Sequence, residues 1–194
     1  MISISGKAAS GKDTILNELL NKGYKRIITY TTRPMRPGEI QDVTYHYISE
    51  EEFEQKVQDG FFTEHQVYHT KLGDWRYGSP LQEILTAGED MVIILTPTGV
   101  RAVKAEMSDN IFVLYIFANN TTIKQRLVKR GDNPIEAKRR FDQDAIDFNG
   151  FQSEADKIVY NNDGTDITSV VDKIMTLIKE NTKNRRINAE KQRH

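Results

Sequence analysis

Short apolar runs alternate along the chain with longer stretches in which apolar side chains recur at helical spacing. Continuous apolar runs bounded by polar residues favour strands that are buried on both faces. Strands that alternate with amphipathic helices form a parallel sheet with helices packed on it. The sequence therefore predicts an α/β fold, and its five candidate strands are residues 2–5, 26–29, 91–95, 111–117 and 158–160.

Three helix starts are marked by capping residues. Ser49 is followed three residues later by Glu52, which is the capping-box pattern. Ser79 and Asn133 each precede a proline, and proline is favoured at the first position of a helix. These signals predict helices that begin directly after residues 49, 79 and 133.

Two segments depart from the alternation and predict parts that are added to the core. Residues 31–79 are rich in Thr, Tyr, His and Arg and hold short alternating stretches, which indicates an inserted lobe. Residues 125–140 are dense in charge and contain Gly131, as expected of a mobile lid over phosphates. Residues 182–194 are polar and basic without apolar periodicity, so we expect them to fray. We predict a single domain over residues 1–194, with its core formed by residues 1–30, 80–124 and 141–194.

The charge balance and composition limit the classes of partner. The 194 residues include 27 Lys and Arg against 28 Asp and Glu, so no overall field attracts nucleic acid or a membrane surface. The longest apolar run, residues 111–118, is far shorter than the roughly 20 residues of a membrane helix. The chain has no cysteine, which excludes disulfides and favours a reducing compartment. We expect a cytoplasmic protein without nucleic-acid or membrane partners.

A glycine-rich loop with a lysine lies between the first predicted strand and a predicted helix at residues 15–20. This strand, loop and helix context is the one that the P-loop motif requires. Its backbone N–H groups and the helix N-terminus bind polyphosphate, and Lys12 adds a charge that reaches the terminal phosphates. We predict that ATP binds this loop, which is formed by Gly6, Lys7, Ala8, Ala9, Ser10, Gly11, Lys12, Asp13 and Thr14.

One loop position departs from the common motif. Asp13 stands where the motif has the Ser or Thr that binds magnesium, and Thr14 follows it. Carboxylate and hydroxyl oxygens are both ligands that Mg²⁺ accepts. We therefore take Mg²⁺ as the cofactor that accompanies ATP, with Asp13 and Thr14 as its candidate protein ligands.

Two arginines follow the second predicted strand. Arg33 and Arg36 lie three residues apart, and Pro34 and Pro37 stiffen the segment between and after them. Planar guanidinium groups bind phosphate through two parallel hydrogen bonds, so this pair can hold one phosphate from two directions. A solvated basic loop would carry the same residues, and it is the combination with the P-loop that favours a phosphate site.

Together the P-loop, the segment from Thr31 to Glu39 and Tyr45 resemble guanylate kinases, and the resemblance covers nearly the whole chain. It implies an inserted NMP-binding lobe at residues 31–79, a lid at 125–140, and transfer of phosphate from ATP to a nucleoside monophosphate. The expected reaction is GMP + ATP to GDP + ADP. The resemblance assigns the acceptor phosphate to four residues, Arg33, Arg36, Tyr45 and Tyr77.

The same resemblance assigns the base to Thr29, Glu64, Ser79 and Thr96. A glutamate suits guanine because its carboxylate accepts from the N1 and N2 donors, whereas adenine places an acceptor there. Ser79 has a second candidate role as the helix cap before Pro80.

Arginines of the predicted lid complete the site that the resemblance implies. Arg126 and Arg130 are expected to contact ATP, and Arg140 follows on the next helix. Phosphoryl transfer passes through a loose transition state, so the protein contributes mainly alignment and positive charge. The acceptor phosphate oxygen is already anionic and needs no general base. The predicted catalytic residues are Lys12, Arg33, Arg130 and Arg140.

Two departures from guanylate kinases keep other functions open. Residues 67–76 form a longer loop than the family carries, and Thr96 lies in a third-strand segment from which both of the family's aspartates are missing. The missing acids favour a related small-molecule kinase, such as a ribose bisphosphate kinase, although Thr29 and Glu64 count against it. A noncatalytic guanylate-kinase-like binding module is the third interpretation, and the intact Lys12 counts against it.

Overall fold

A computed structural model of the chain describes residues 1–70, 73–107 and 110–191. Its strands are β1 (Ile2–Ser5), β2 (Lys25–Arg26), β3 (Tyr30–Thr31), β4 (His46–Tyr47), β5 (Phe62–Thr70), β6 (Gly73–Pro80), β7 (Met91–Ile94), β8 (Phe112–Phe117) and β9 (Lys157–Tyr160). Its helices are α1 (Lys12–Asn21), α2 (Glu50–Gln58), α3 (Leu81–Leu85), α4 (Pro97–Met107), α5 (Asn120–Lys129), α6 (Pro134–Asp147), α7 (Ile167–Lys191) and a short 3₁₀ helix at Phe151–Ser153.

The core is a parallel five-stranded sheet with the strand order β2-β7-β1-β8-β9. The side chains of β8 alternate between the two faces of the sheet. On one face, Phe112, Leu114 and Ile116 pack with α1 and α7. Val113 and Tyr115 pack with α4 on the other face. The predicted α/β fold with a parallel sheet between helices is confirmed. Because β1 is central and its neighbours continue to opposite sides, its carboxyl end lies at the switch point where such folds bind ligands.

A second, four-stranded sheet with the order β4-β3-β6-β5 is built from strands between Tyr30 and Pro80, in the predicted second lobe, whose separation from the core stays a prediction. Helix α2 closes it, with Phe53 stacked on Phe62 at 4.7 Å between ring centroids. The segment 67–76 was expected to be a loop, and this is wrong for its described residues. They continue β5 and β6 as an antiparallel hairpin, in which residue 67 pairs with residue 76 and residue 70 with residue 73. Residues 71 and 72 lie outside the described residues.

Two of the three predicted helix caps are confirmed. The Ser49 hydroxyl accepts a hydrogen bond from the Glu52 N–H at 3.1 Å, and the Asn133 side chain caps α6. The capping role of Ser79 is wrong, because Ser79 is the penultimate residue of β6 and α3 begins after Pro80. The Ser79 hydroxyl is used elsewhere, in the candidate active site.

Helix α7 contradicts the expectation that residues 182–194 fray, since it continues to Lys191. Its amino-terminal half packs on the core through Val170, Ile174 and Ile178. Its second half is held by Arg185, whose guanidinium donates to the Ile111 carbonyl at 2.7 Å. Residues 192–194 lie outside the described residues. Within the described ranges, neither α7 nor any other helix is long and apolar enough to cross a bilayer.

Candidate active site

The loop between β1 and α1 has the shape of a phosphate cradle. Ala9 and Gly11 adopt left-handed φ angles of 59° and 93°, and such turns bring successive backbone N–H groups to one side. A Cβ atom on Gly11 would lie 2.3 Å from the side-chain nitrogen of Asn161, so only glycine fits there. Helix α1 begins at Lys12, three residues earlier than predicted, which places its N-terminus directly on the loop.

Side chains from α5 and the β9–α7 connection hold this loop in place. The Asn161 side chain donates to the Ser10 carbonyl at 2.9 Å. The Arg126 guanidinium donates to the Ala9 and Ser10 carbonyls at 3.3 Å and pairs with Asp163 at 3.0 Å. These bonds occupy loop carbonyls and use none of the loop N–H groups. Arg126 was predicted to contact ATP, and the structure places it against the phosphate loop.

The predicted metal ligands, Asp13 and Thr14, can supply one carboxylate and one hydroxyl to an ion that is bound mainly by the nucleotide. The Asp13 carboxylate lies 4.0 Å from the Lys12 ammonium and is mostly exposed, as is Thr14 on the same helical turn. Within the described residues, no group of three or more His, Cys, Asp and Glu could hold a metal by itself. Mg²⁺ in nucleotide sites needs only one or two carboxylates besides the phosphates, and Asp13 can supply one.

In the second lobe, Arg33 is the best-anchored of the predicted acceptor residues. Its side chain is 3% exposed. It donates to the Tyr77 hydroxyl at 3.0 Å, to the Pro34 carbonyl at 2.7 Å and to the Glu39 carboxylate at 2.7 Å. Burial alone would lower its pKa, but the bonds to Glu39 and Tyr77 outweigh it and raise the pKa of Arg33. The guanidinium is therefore permanently charged and fixed in orientation.

Three tyrosines surround Arg33. Its guanidinium lies 5.6 Å from the ring centroid of Tyr45 and 5.7 Å from that of Tyr47, and Tyr77 packs edge-on against Tyr45. Burial, with the neighbouring Tyr77 and Asp13, raises the pKa of Tyr45 to about 12. The hydroxyl of Tyr45 is therefore neutral at physiological pH and can donate to a phosphate. The structure thus brings together the predicted residues Arg33, Tyr45 and Tyr77.

Glu39 holds Arg33 in place, and its ionisation should show in the stability of the protein. Burial opposes its charge, but bonds from Arg33, from the Arg36 N–H and from Tyr47 lower the pKa of Glu39 to about 2, from 4.5. A lowered pKa stabilises the folded state above pH 4.5, and this contribution is lost as the pH falls towards 2. Urea unfolding of wild type and Glu39→Gln should therefore differ most near pH 7, and the difference should shrink between pH 4.5 and 2. A difference that is constant with pH would contradict this ionisation.

Each lid arginine is paired with an acid in this structure. Arg130 lies at the end of α5 and forms two hydrogen bonds with Asp132. Arg140 and its neighbour Arg139 on α6 both donate to Glu136, with Arg140 at 2.9 Å. The predicted lid segment, residues 125–140, thus begins inside α5 and ends inside α6. That residues 125–140 form a lid distinct from the core stays a prediction.

Arginines of the two predicted phosphate-binding segments lie close enough for their charges to interact. Partial desolvation lowers the pKa of Arg36, and the positive charges of Arg33 and Arg140 lower it further. The charge of Asp13 reaches Arg130, whose pKa is raised mainly by its bond to Asp132. Like charges held together raise the free energy of the protein, and a bound phosphate lowers it. The arrangement is suited to a phosphate between the loop and the second lobe.

Two of the predicted base-reading residues, Glu64 and Ser79, form a second polar cluster. The Ser79 hydroxyl donates to the Glu64 carboxylate at 2.8 Å, and that carboxylate lies against Gly99 of α4. Burial raises the pKa of Glu64, and the Ser79 bond lowers it in part. Thr29 lies directly before β3, with its carbonyl bonded to the His46 N–H, and its base-reading role stays a prediction.

Thr96, at the position where the family has an acid, is hydrogen-bonded to neighbouring residues. Its hydroxyl accepts from the Gly99 N–H at 3.1 Å and from the Gln66 amide at 3.3 Å. The Gln66 carbonyl in turn accepts from the Tyr68 hydroxyl at 2.6 Å. A cavity of about 370 Å³ adjoins this network between the hairpin and α6, and it is lined in part by Gln66, Tyr68, Thr96, Arg139, Gln143 and Asp147.

Several site residues were not predicted from the sequence. Tyr47 and Glu39 are single polar residues in a polar lobe, and no local pattern distinguishes them from solvated ones. Gln66 lies two residues from both Glu64 and Tyr68 on β5, so the three side chains share one face of the strand. This pattern was not recognised because the segment from residue 67 was interpreted as a loop. Asn161 directly follows the last core strand, at the sheet edge where ligands bind, and this position could have identified it.

A central parallel strand leads through a glycine-rich loop with a lysine into a helix, and a second lobe contributes arginines and tyrosines. This combination defines a P-loop nucleoside monophosphate kinase. The family profile described as "Guanylate kinase" matches residues 1–179. The chain belongs to the guanylate kinase family.

Individual relatives agree with this assignment. The chain is 36% identical over 146 residues to a guanylate kinase of Symbiobacterium thermophilum, covering 72% of this chain and 67% of that protein. It is 31% identical over 182 residues to a guanylate kinase of Clostridium perfringens, covering 90% and 82%. The crystal structure of guanylate kinase from Anaplasma phagocytophilum superposes with a TM-score of 0.69 at 18% identity, covering 93% of this chain and 84% of that one, and this likeness bears on the fold.

Proposed function

We propose that the protein transfers the γ-phosphoryl group of ATP to GMP, giving ADP and GDP. The observation that carries the proposal is a cluster of positive charges, in which Arg33 and Arg140 both act on Arg36, in a protein whose β1–α1 loop has the shape of a phosphate cradle. These residues come from two segments about a hundred positions apart in the sequence, and a phosphate between them is what their charges require. The named guanylate kinases among the relatives support GMP as the acceptor.

The donor half of the site is the loop and its lysine. The N–H groups of the loop replace the hydration of the ATP phosphates with donors that are fixed before binding. Lys12 now contacts the Lys7 carbonyl at a long 3.5 Å, so little is lost when it turns to a phosphate. Arg126 already lies against the loop and supports a contact with the nucleotide.

The acceptor half is organised by hydrogen bonds that exist before the ligand arrives. Arg33 uses three of its five N–H groups on Tyr77, Pro34 and Glu39. Two remain for the GMP phosphate, and the neutral hydroxyl of Tyr45 adds a third donor. This preorganisation lowers the ordering cost of binding.

Substitution of Arg33 should therefore act on the acceptor rather than on the donor. We expect Arg33→Ala to raise KM for GMP by about 10- to 100-fold, since each bond between a charged donor and phosphate contributes about 1.5 to 3 kcal/mol. KM for ATP should change little. Steady-state kinetics with each substrate varied in turn measure both values.

Two companion variants separate binding from folding in this test. Because Arg33→Ala leaves Glu39 without its partner, the double substitution Arg33→Ala, Glu39→Gln removes the unpaired charge. Arg101→Ala is the matched control, since Arg101 is an exposed arginine paired with Glu154 away from the cradle. Equal rises in both Michaelis constants would indicate general destabilisation instead.

Base selection is assigned to Glu64, with Ser79 as its orienting partner. The carboxylate accepts from the N1 and N2 donors of guanine, whereas AMP would leave it unpaired and partly desolvated. Thr96 supplies no formal charge, and its hydroxyl already accepts two bonds. We therefore expect weak discrimination between GMP and IMP, which lacks only the N2 amine.

The transfer itself needs alignment and positive charge. The attacking group is an oxygen of the GMP phosphate, which is anionic at neutral pH, so no side chain has to remove a proton. Lys12, Arg130 and Arg140 stabilise the charge on the equatorial oxygens of the transferred group. Arg130 and Arg140 are bonded to Asp132 and Glu136, and a nucleotide phosphate would compete with these acids for the two guanidinium groups.

Mg²⁺ bound with ATP would neutralise charge on the β- and γ-phosphates. Asp13 is the residue that would hold it, with Thr14 beside it. We place the protein in the cytoplasm, which the lack of cysteine supports.

The two rival interpretations are less well supported. A ribose bisphosphate kinase has no use for the Glu64 carboxylate, and a noncatalytic module has no use for Lys12. The proposal is tested by incubating the protein and Mg²⁺ with γ-labelled ATP and either GMP or ribose 1,5-bisphosphate. We expect the label in GDP, in a one-to-one ratio to ADP. Label in the sugar phosphate product alone, or in no product, would overturn it.

A further inference from the structure

A carboxylate from α6 contacts the phosphate loop directly. The side chain of Asp144 accepts a hydrogen bond from the Ala8 N–H at 2.6 Å. Asp144 is half-buried, and burial raises its pKa, whereas the Ala8 N–H and the charge of Lys12 lower it in part. Asp144 was not predicted as a site residue from the sequence.

This contact places an anion on a loop whose N–H groups serve to bind other anions. A carboxylate can only accept, so it competes with a phosphate oxygen for the Ala8 N–H. The charges close to it are those of Lys12, Lys7 and Asp147. With the triphosphate bound, Asp144 would lie beside several more negative charges, and like charges at such distances repel strongly where solvent is partly excluded.

We propose that Asp144 is a nucleotide-affinity determinant: it occupies a donor of the phosphate loop, and the phosphates of ATP must displace it. The inference rests on the ATP half of the proposed function and is independent of the acceptor. Arg140 lies one turn earlier on α6. The same helix therefore carries a group that attracts the phosphates and a group that they repel, so the nucleotide reorients both as it binds.

The test is ATP affinity, measured by calorimetry without any acceptor, for wild type, Asp144→Asn and Asp142→Asn. Asparagine keeps an oxygen that can accept from the Ala8 N–H and removes only the charge. Asp142 is the matched control, because it lies on the same helix but is exposed and pairs with Lys138. We expect Asp144→Asn to lower the Kd for ATP at least about tenfold, with and without Mg²⁺, whereas Asp142→Asn leaves it unchanged.

Each other outcome has a distinct meaning. An unchanged Kd in Asp144→Asn would overturn the inference and leave the contact as a structural tether. A higher Kd for ATP in Asp144→Asn, seen only with Mg²⁺, would also overturn the inference and would mean that Asp144 acts through the metal. If ATP binds none of the three proteins, the donor half of the proposed function fails and the inference fails with it.

A second measurement on the wild-type chain does not depend on a folded variant. The ¹³C resonance of the Asp144 carboxyl group should shift when ATP saturates the protein, because the carboxylate loses the Ala8 N–H. Adenosine, which has no phosphates, should leave the resonance in place. A resonance that ATP does not move would contradict the displacement.

Discussion

Lys12→Ala should lower kcat for phosphoryl transfer by about 10²- to 10³-fold or more, which is the range found when one preorganised charge-stabilising donor is removed. The free energy of unfolding should change by no more than about 0.5 kcal/mol, because the Lys12 ammonium makes only long contacts in the described residues, at 3.5 Å to the Lys7 carbonyl and 4.0 Å to the exposed Asp13 carboxylate. The loss falls on kcat because the charge of Lys12 stabilises the transferred phosphoryl group in the transition state.

Lys22→Ala is the matched control for this variant. Lys22 follows the last turn of the same helix and is exposed, and only its backbone N–H takes part in the helix cap. Steady-state rates and thermal midpoints of the three proteins decide the outcome. Activity retained in Lys12→Ala would remove the assignment of the loop as the ATP site.

Glu64→Gln should produce the second large effect, on selectivity between bases. The carboxylate is half-buried and bonded to Ser79, and we propose that it accepts from two donors of guanine. Without its charge, kcat/KM for GMP should fall about 10- to 100-fold, because bonds to charged groups contribute about 1.5 to 3 kcal/mol. The preference over AMP, which can reach roughly 10⁴-fold where a buried polar group would be left unpaired, should shrink by a similar factor.

An exposed glutamate provides the control for this effect. Glu51→Gln on α2 makes the same change of charge at the surface of the same lobe and should leave both ratios unaltered. IMP measured alongside reports on the N2 amine alone. If Glu64→Gln leaves the ratio of GMP to AMP untouched, Glu64 does not read the base.

Local signals account for what the sequence predicted correctly. The parallel sheet follows from apolar runs that need no knowledge of their neighbours, and the helix starts at Ser49 and Asn133 depend on residues within one turn. The phosphate loop is contiguous, so its glycines and Lys12 are recognisable by spacing alone. Ser79 shows the limit of such signals, since a serine before a proline is also compatible with the end of a strand.

Contacts between distant segments account for what the sequence could not provide. Asp144 meets Ala8 across 136 positions, and Asn161 meets Ser10 across 151. Nothing near either side chain in sequence indicates these partners, because only the order of the strands brings them together. The continuation of β5 and β6 at residues 67–70 and 73–76 was missed for a different reason, since the whole segment was compared with a shorter loop of the family; the alternating burial of β5 appears only in the structure.

The central claim is that GMP is the acceptor, and the most direct test is kcat/KM of the wild-type protein for GMP, AMP and ribose 1,5-bisphosphate at saturating ATP and Mg²⁺. The geometry of Glu64, Ser79 and Arg33 predicts that GMP exceeds AMP by at least about 10³-fold. The sugar bisphosphate should be a poor acceptor, since it has no base and therefore lacks the N1 and N2 donors of guanine. An equal value for AMP, or a higher value for ribose 1,5-bisphosphate, would contradict the assignment.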